Sequence, residues 1–367
     1  MKVWIVGPAH PYKGGGARHT TELAHRLTAA GHDVIIESWR AQYPARLYPG
    51  RQTVDEPEGE PYPRTRRKLA WYRPDGWFAA GRRLRGADLV VFALLTPIQV
   101  PAYLAILAGL GRRRRDRTVV ICHNVLPHER RPGDVTLVKT LLRRAGAVLV
   151  HSKEQADLAQ ALAPSAHVTV AAMPPHLPGS GVSVTRTQVT AQGPGTVRLL
   201  FFGIVRPYKG LDVLLRALAQ AADNLTLTVA GEFWGGTAST EKLIAELGVG
   251  DRVTLRPGYL PASQIPDLFA AADALVLPYR EATASQNALL AFAHGVPVIT
   301  TTAGSLAEHV RDGTDGLTVM PGDVDDLLRA LRTISEPHTA ARLRAGVRQP
   351  DPGPGWDTYL RALVARR

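Results

Sequence analysis

The chain has 367 residues, enough for roughly two domains, and its 45% hydrophobic and 21% charged content excludes a disordered, collagenous or disulfide-scaffold protein. A single cysteine, Cys122, sits in an apolar run, so a reducing cytoplasm is the expected compartment. The net charge of +12 lies wholly in the first half: residues 1–175 hold 26 Lys/Arg against 14 Asp/Glu, and residues 176–367 hold 18 against 18. The excess comes in runs, Arg64-Thr65-Arg66-Arg67-Lys68, Arg82-Arg83-Leu84-Arg85 and Arg112 to Arg115. Such a half suits an anionic membrane surface or an acidic small molecule. Neither zinc-ligand spacing nor an RNA-binding aromatic signature accompanies it, so no nucleic-acid partner is expected.

Met1 leads directly into an apolar strand pattern, Lys2 to Val6, with no signal or transit pattern ahead of it. The loop from His10 to Gly16 follows, then a helix over about 17–30 with Leu23, Ala24 and Leu27 on one face, then a strand over 33–37. Strand, glycine loop, helix and strand in that order open a parallel α/β unit. Residues 40–76 are polar and proline-rich and give no assignable element. Strands fit 87–93, 118–122 and 147–151, with a helix over 152–162. From Phe92 to Gly111 run twenty residues without a charge, nearly bilayer length. Pro97, Gln99 and Pro101 interrupt the tract, so a packed or surface-docked helix is expected there rather than a membrane span.

Residues 176–195 are rich in Pro, Gly, Ser and Thr and read as a linker between domains. A second α/β pattern begins after it, with strands at 197–203, 225–230, 252–256, 274–277 and 296–300. Helices fit 210–222, 239–247, 263–271, 286–294 and 323–334. A last helix, 356–366, follows the stiff stretch from Pro350 to Gly355. The division is therefore a first domain over 1–175, a second over 196–350, and a terminal segment, 351–367. Two tandem Rossmann-like domains would place the loops 10–16, 123–129, 203–210 and 281–287 at the carboxyl ends of strands, facing a central cleft.

The stretch with most chemical content is Val197 to Leu218. An apolar strand meets Gly203, a short loop carries Arg206 and Lys209, and Gly210 opens an amphipathic helix. Free N–H groups at a helix start, with two cations beside them, make a seat for phosphate. The pattern is neither a Walker loop nor a dinucleotide fingerprint, and an ordinary surface loop with solvated charges has the same composition. His123 ends its strand at the carboxyl side, where a histidine serves either a ligand or its own backbone. The acidic cluster Asp323, Asp325 and Asp326 reads as a helix start favoured by the macrodipole.

The order of glycine loop, strand and His123, then Gly203, Arg206, Lys209 and Gly210, then Ala293-His294-Gly295-Val296-Pro297-Val298-Ile299, resembles retaining glycosyltransferases of the GT-B fold, family 4. Gly304 to Glu308 and Asp312 to Leu317 continue the likeness. The resemblance implies transfer of a sugar from a nucleotide-diphosphate donor to a sugar, lipid-linked or small-molecule acceptor. It implies no metal and no cofactor. It also implies that the last helix crosses back onto the first domain. By resemblance, Arg206 and Lys209 neutralise the departing diphosphate and His123 lies beside the donor sugar. Gly14, Gly15 and Gly16 let the backbone approach the donor, with Gly203 at the opposite turn. Ser285 caps the helix whose first amides, at Gln286 and Asn287, hold phosphate. Two positions depart from the family pattern. Ile204 stands where an arginine follows the glycine, and Ala282 and Leu290 stand where two glutamates occur, with Glu281 one residue early. The sequence therefore leaves open a silent nucleotide-sugar-binding relative and a nucleotide-sugar epimerase of the same fold. The site expected is cytoplasmic, held at the membrane's inner face through the basic half.

Overall fold

The computed structural model describes residues 1–44, 51–57, 59–127, 129–176, 195–282 and 285–365. The expected linker therefore lies, but for its ends, outside the described residues. The chain divides into two compact units, Met1–His176 with Pro352–Arg367, and Leu177–Asp351.

The first unit is a seven-stranded parallel sheet. Its strands are β1 (Lys2–Val6), β2 (Asp33–Ala41), β3 (Thr65–Ala70), β4 (Leu89–Leu94), β5 (Thr118–Cys122), β6 (Ala147–Val150) and β7 (Val168–Val170). They run in the order β3-β2-β1-β4-β5-β6-β7. Alternation along β1 splits its side chains between two cores. Trp4 and Val6 face one layer with Val90, Phe92, Val120 and Cys122. Val3 and Ile5 face the other with Val34, Ile36, Val91 and Ile121.

Helix α1 (Gly15–Ala29) covers the second layer through Leu23, Ala24 and Leu27, the face its periodicity predicts. The uncharged tract from Phe92 divides between the end of β4, a turn, and helix α3 (Val100–Leu110), which buries Tyr103, Ile106 and Leu107. Among the described residues no helix is long and apolar enough to cross a membrane. Elements that the sequence left unassigned are β3, β7, α2 (Pro74–Arg83) and α4 (Asp134–Leu142). Helix α5 (Lys153–Leu162) takes its N-cap from Ser152, whose side chain accepts from Gln155 N.

The second unit is a six-stranded parallel sheet in the order β10-β9-β8-β11-β12-β13. Its strands are β8 (Val197–Phe202), β9 (Leu225–Gly231), β10 (Val253–Pro257), β11 (Ala274–Leu277), β12 (Val298–Thr301) and β13 (Gly316–Val319). Helices α6 (Leu211–Gln220), α7 (Ala238–Glu246) and α10 (Val324–Ser335) pack on one face, and α8 (Ile265–Ala270) and α9 (Asn287–Ala293) on the other. Asp323 caps α10, its Oδ1 accepting from Asp325 N and Asp326 N at 2.9 Å each. Strand β13 and helix α11 (Thr339–Gly346) are further elements absent from the sequence reading.

The last helix, α12 (Pro352–Val364), joins the first unit. Trp356, Tyr359 and Leu363 sit in the layer that holds Val3, Ile5 and Ile121, and Trp356 donates from Nε1 to Pro175 O at 3.0 Å. Trp356→Ala should cost ~3–5 kcal/mol, the range for removing a buried aromatic side chain. The measurement is the urea midpoint, and an unchanged midpoint would show that α12 contributes no packing.

Candidate functional site

In an open parallel sheet, ligands bind outside the carboxyl ends of the strands where the strand order reverses. In the second unit that point lies between β8 and β11, and the candidate residues collect there. Beyond β8 the backbone reaches Gly203 at φ +112°, and a Cβ on it would lie 3.2 Å from Asn287 Nδ2 and 3.4 Å from Lys209 Nζ. Lys209 and Asn287 therefore converge over Gly203. Asn287 Nδ2 donates to Phe202 O at 2.9 Å, and Lys209 Nζ lies 5.0 Å from the centre of the Tyr279 ring. Arg206 takes a different seat on the same loop, its guanidinium 4.5 Å from the centre of the Trp234 ring. Both cations are half-buried against aromatic faces.

A short 3-10 turn, Pro207–Lys209, sets Lys209 in place, and Gly210 follows as the N-cap of α6 at φ +67°. A Cβ at Gly210 would stand 2.0 Å from Pro278 O, so only glycine lets this turn lie against the end of β11. From the β11 side, Arg280 closes the loop. Its guanidinium grips Asp212 with two bonds of 2.7 Å and donates to Pro207 O at 3.0 Å, while Arg280 N donates to Tyr208 O at 2.7 Å. The hydrogen bonds from Arg280 hold the Asp212 carboxyl below its ordinary range. Sequence reasoning passed over this clamp, because its members are far apart in the chain and match no motif.

Helix α9 begins at Asn287, and Gln286 before it already has helical angles, φ −78° and ψ −9°. Ser285 Oγ accepts from Asn287 N at 3.3 Å, the bond expected of a residue that caps this helix. Gln286 is half-buried, and Glu281 is exposed in the turn after β11. Leu290, where the family pattern has a glutamate, is buried in the apolar layer with Leu277 and Phe292.

In the first unit the order reverses between β1 and β4. Helix α1 starts two residues earlier than expected, at Gly15, so Gly15 and Gly16 are its first turn and not part of a loop. Gly14 is the N-cap at φ +91°, and open space surrounds Gly14 and Gly15 on the Cβ side. Gly16 differs, since a Cβ there would come within 2.2 Å of the Leu95 side chain. Its role is close packing of α1 on the end of β4.

His123 follows β5 and enters a cluster of imidazoles. Its ring centre lies 5.0 Å from that of His19 and 5.3 Å from that of His151. His19 hydrogen-bonds through Nδ1 to His176 Nε2 at 2.9 Å and through Nε2 to the Tyr359 hydroxyl of α12 at 3.0 Å. His151 Nδ1 is 3.2 Å from Ala171 O. Nε2 of His123 is buried and finds no hydrogen-bond partner among the described residues. Burial first, and the neighbouring imidazoles second, hold His19 and His123 well below the ordinary histidine range; burial lowers His151 to about 4. His123 is thus a neutral imidazole whose Nε2 is enclosed in the cluster. His128, within the expected loop 123–129, lies outside the described residues. Burial also pushes the Cys122 thiol up to about 12, leaving it neutral in the core. No group of three or more His, Cys, Asp or Glu among the described residues could hold a metal ion.

Solved structures share this architecture. Anabaena HepE, in complex with UDP and glucose, is 16% identical with a TM-score of 0.73 over 100% of both chains. Sucrose-phosphate synthase of Thermosynechococcus elongatus is 19% identical, with a TM-score of 0.70 over 99% of this chain and 95% of that one. Residues 13–172 match the family model Glycosyltransferase Family 4, and residues 196–336 match Glycosyl transferases group 1. The fold is that of the GT-B structures, and each half of the chain matches a glycosyltransferase family model. Curated relatives of this GT-B chain include D-inositol 3-phosphate glycosyltransferase 1 of Catenulispora acidiphila, 34% identical over 181 residues, 46% of this chain and 43% of the relative. The Streptomyces avermitilis D-inositol 3-phosphate glycosyltransferase is 37% identical over 178 residues, 45% of this chain and 38% of the relative. The chain thus spans less than half the length of these curated relatives.

The neutral cluster makes a prediction about acid. In the unfolded chain His151 takes up its proton near 6.5, whereas in the fold it does so at about 4. Between those values the unfolded state binds more protons, so stability is full above the unfolded value and is lost as pH falls through the window. The thermal midpoint of the protein should therefore drop as the pH is lowered from about 6.5 to about 4, and His151→Asn should flatten that drop. Equal slopes for the two proteins would show that His151 is not a group that drives it.

Proposed function

We propose that the protein is a retaining glycosyltransferase that moves a sugar from a nucleotide-diphosphate donor to a sugar, lipid-linked or small-molecule acceptor. The observation that carries the reading is the convergence of the Lys209 ammonium and the Asn287 amide over Gly203, at the point in the second sheet where strand order reverses. As the bond to the anomeric carbon breaks, negative charge collects on the diphosphate. A cation fixed before the reaction stabilises that charge without reorganising. In this reading Lys209 meets the diphosphate and Arg206, propped on Trp234, adds a second positive charge. The resemblance gives His123, at the carboxyl end of β5, a place beside the donor sugar. Gly14 and Gly15, with free space at their Cβ positions, allow close backbone approach. The proposal asks for no metal ion, because side-chain cations carry the compensating charge.

The names of the curated relatives add a phosphorylated polyol to the acceptors to be tried. A second reading, a silent nucleotide-sugar-binding relative, has one observation in its favour: the buried Leu290 supplies no carboxylate for donor hydroxyls. Thermal-shift screening with UDP-, GDP- and TDP-sugars selects the donor, since a ligand that prefers the native state raises its melting point. Transfer is then followed with that donor and each acceptor, and the anomeric configuration of the product is read by NMR. Lys209→Ala should lower turnover by about 10²–10³-fold with an unchanged melting point, the usual cost of removing one such stabilising group. Turnover unaffected in Lys209→Ala would overturn the mechanism. Donor binding without transfer to any acceptor would favour the silent relative, and isomerised nucleotide sugar without acceptor would favour an epimerase.

The clamp gives an independent check on the loop. Arg280→Ala frees the Pro207–Lys209 turn, so kcat should fall by more than KM changes, while Arg280→Lys, which restores charge without the two-pronged grip, should recover only part of the loss. A pure rise in KM would place Arg280 in donor binding instead.

A further inference from the structure

The first unit carries a surface that neither the fold nor the donor site uses. Strand β3 is the edge of its sheet, and Arg66, Arg67 and Lys68 on it are exposed. Charged side chains on an edge strand are explained by the need to block edge-to-edge pairing. That need does not account for the aromatic side chains just beyond the strand. Trp71, Tyr72 and Phe78 are 43%, 48% and 45% exposed, three of the eight large exposed hydrophobic side chains among the described residues, gathered within eight residues of chain. The Trp71 and Tyr72 rings meet edge to face at 5.5 Å. Phe78 and Arg82 are one helical turn apart on α2, on the same side, and both are exposed.

Residues 64–85 hold eight Arg and Lys against one acid, Asp75. That acid is already spent, because Arg73 donates to it through Nε at 2.9 Å and Nη2 at 2.7 Å. Arg64 and Arg83 pair with Asp33 and Glu37. The field continues onto the next element. Helix α2 presses against α3 so closely that a Cβ on Gly81 would meet Ile106 O at 2.0 Å, and α3 runs straight into the exposed Arg112 and Arg113.

We propose that β3 and α2, through Trp71, Tyr72 and Phe78 among Arg66, Lys68 and Arg82, form a docking surface for an anionic lipid bilayer. Aromatic side chains with polar tips settle at the level of lipid headgroups, and the neighbouring cations meet anionic phosphates there. The apolar Phe78, standing out from a helix rather than from a sheet platform, is matched by an acyl boundary. The proposal does not rest on the transferase reading, since it concerns the adhesion of one face and not the chemistry of a site.

The test is co-sedimentation of the full chain with vesicles of phosphatidylcholine alone and of phosphatidylcholine with phosphatidylglycerol. The protein should sediment with the anionic vesicles, less as salt rises, and hardly at all with the neutral ones. Two variants divide the surface into its parts: Arg66→Ser with Lys68→Ser and Arg82→Ser, and Trp71→Ser with Tyr72→Ser and Phe78→Ser. Each should weaken partition by about tenfold or more. All six positions are exposed, and the melting point checks that the fold survives; if either triple variant unfolds, Lys68→Glu and Phe78→Asp singly replace it. Equal binding to neutral and anionic vesicles, absence of binding, or variants that bind like the parent would overturn the proposal. So would tighter binding of a single-stranded oligonucleotide than of the vesicles, which would assign the surface to nucleic acid.

Discussion

Everything at the second unit's candidate site depends on a backbone approach that no side chain can share. Gly210 lies so near Pro278 O that any Cβ would overlap it. That contact draws the turn carrying Lys209 across the end of β11, where Tyr279 gives the ammonium a face to rest on. The grip of Arg280 on Asp212 adds a second fastening from the opposite strand. An exposed ion pair by itself contributes little, ~0.2–1 kcal/mol. Here its bonds to backbone as well as carboxylate define a geometry, which matters more to a site than to stability. A cation fixed in advance is what a departing phosphate requires.

The two units repeat one plan. Each starts with three strands laid outward from the first, then reverses to place the remaining strands on its other side. Where crossovers are right-handed, such a reversal puts helices on both faces of a sheet. The reversal leaves a gap between diverging loops, which is where Gly203 and Lys209 stand in one sheet and the glycine-rich start of α1 in the other. The first unit uses its gap differently. Gly16 closes the helix onto Leu95, whereas Gly14 and Gly15 remain open.

Helix α12 shows how the far end of the chain completes the beginning. Trp356 and Tyr359 cover the sheet's second face, and the Tyr359 hydroxyl satisfies His19 in the buried imidazole cluster. Burying polar rings is costly unless they are neutral and paired. Burial keeps His19 and His123 neutral, and the pairings among His19, His176 and Tyr359 supply hydrogen bonds. Nε2 of His123, enclosed and without a hydrogen-bond partner among the described residues, stands out against that pattern.

The sequence alone determined the alternation of strands and helices, the apolar faces of α1 and α6, the start of α10 near Asp323, and the glycine and lysine positions after β8. These are local quantities, carried by periodicity over a few turns or by adjacent residues. It missed β3, α2 and α4 because the stretches around them are polar, proline-broken or rich in arginine, so no apolar period marks them. It placed Gly15 in a loop because helix boundaries depend on packing that neighbouring letters do not encode. Only the tertiary structure decided that Arg280 grips Asp212, 68 residues away, that Gly210 faces Pro278, and that His19, His123, His151, His176 and Tyr359 meet in one place. Those meetings are made by strand order, which brings distant turns together and leaves no periodic trace in the chain.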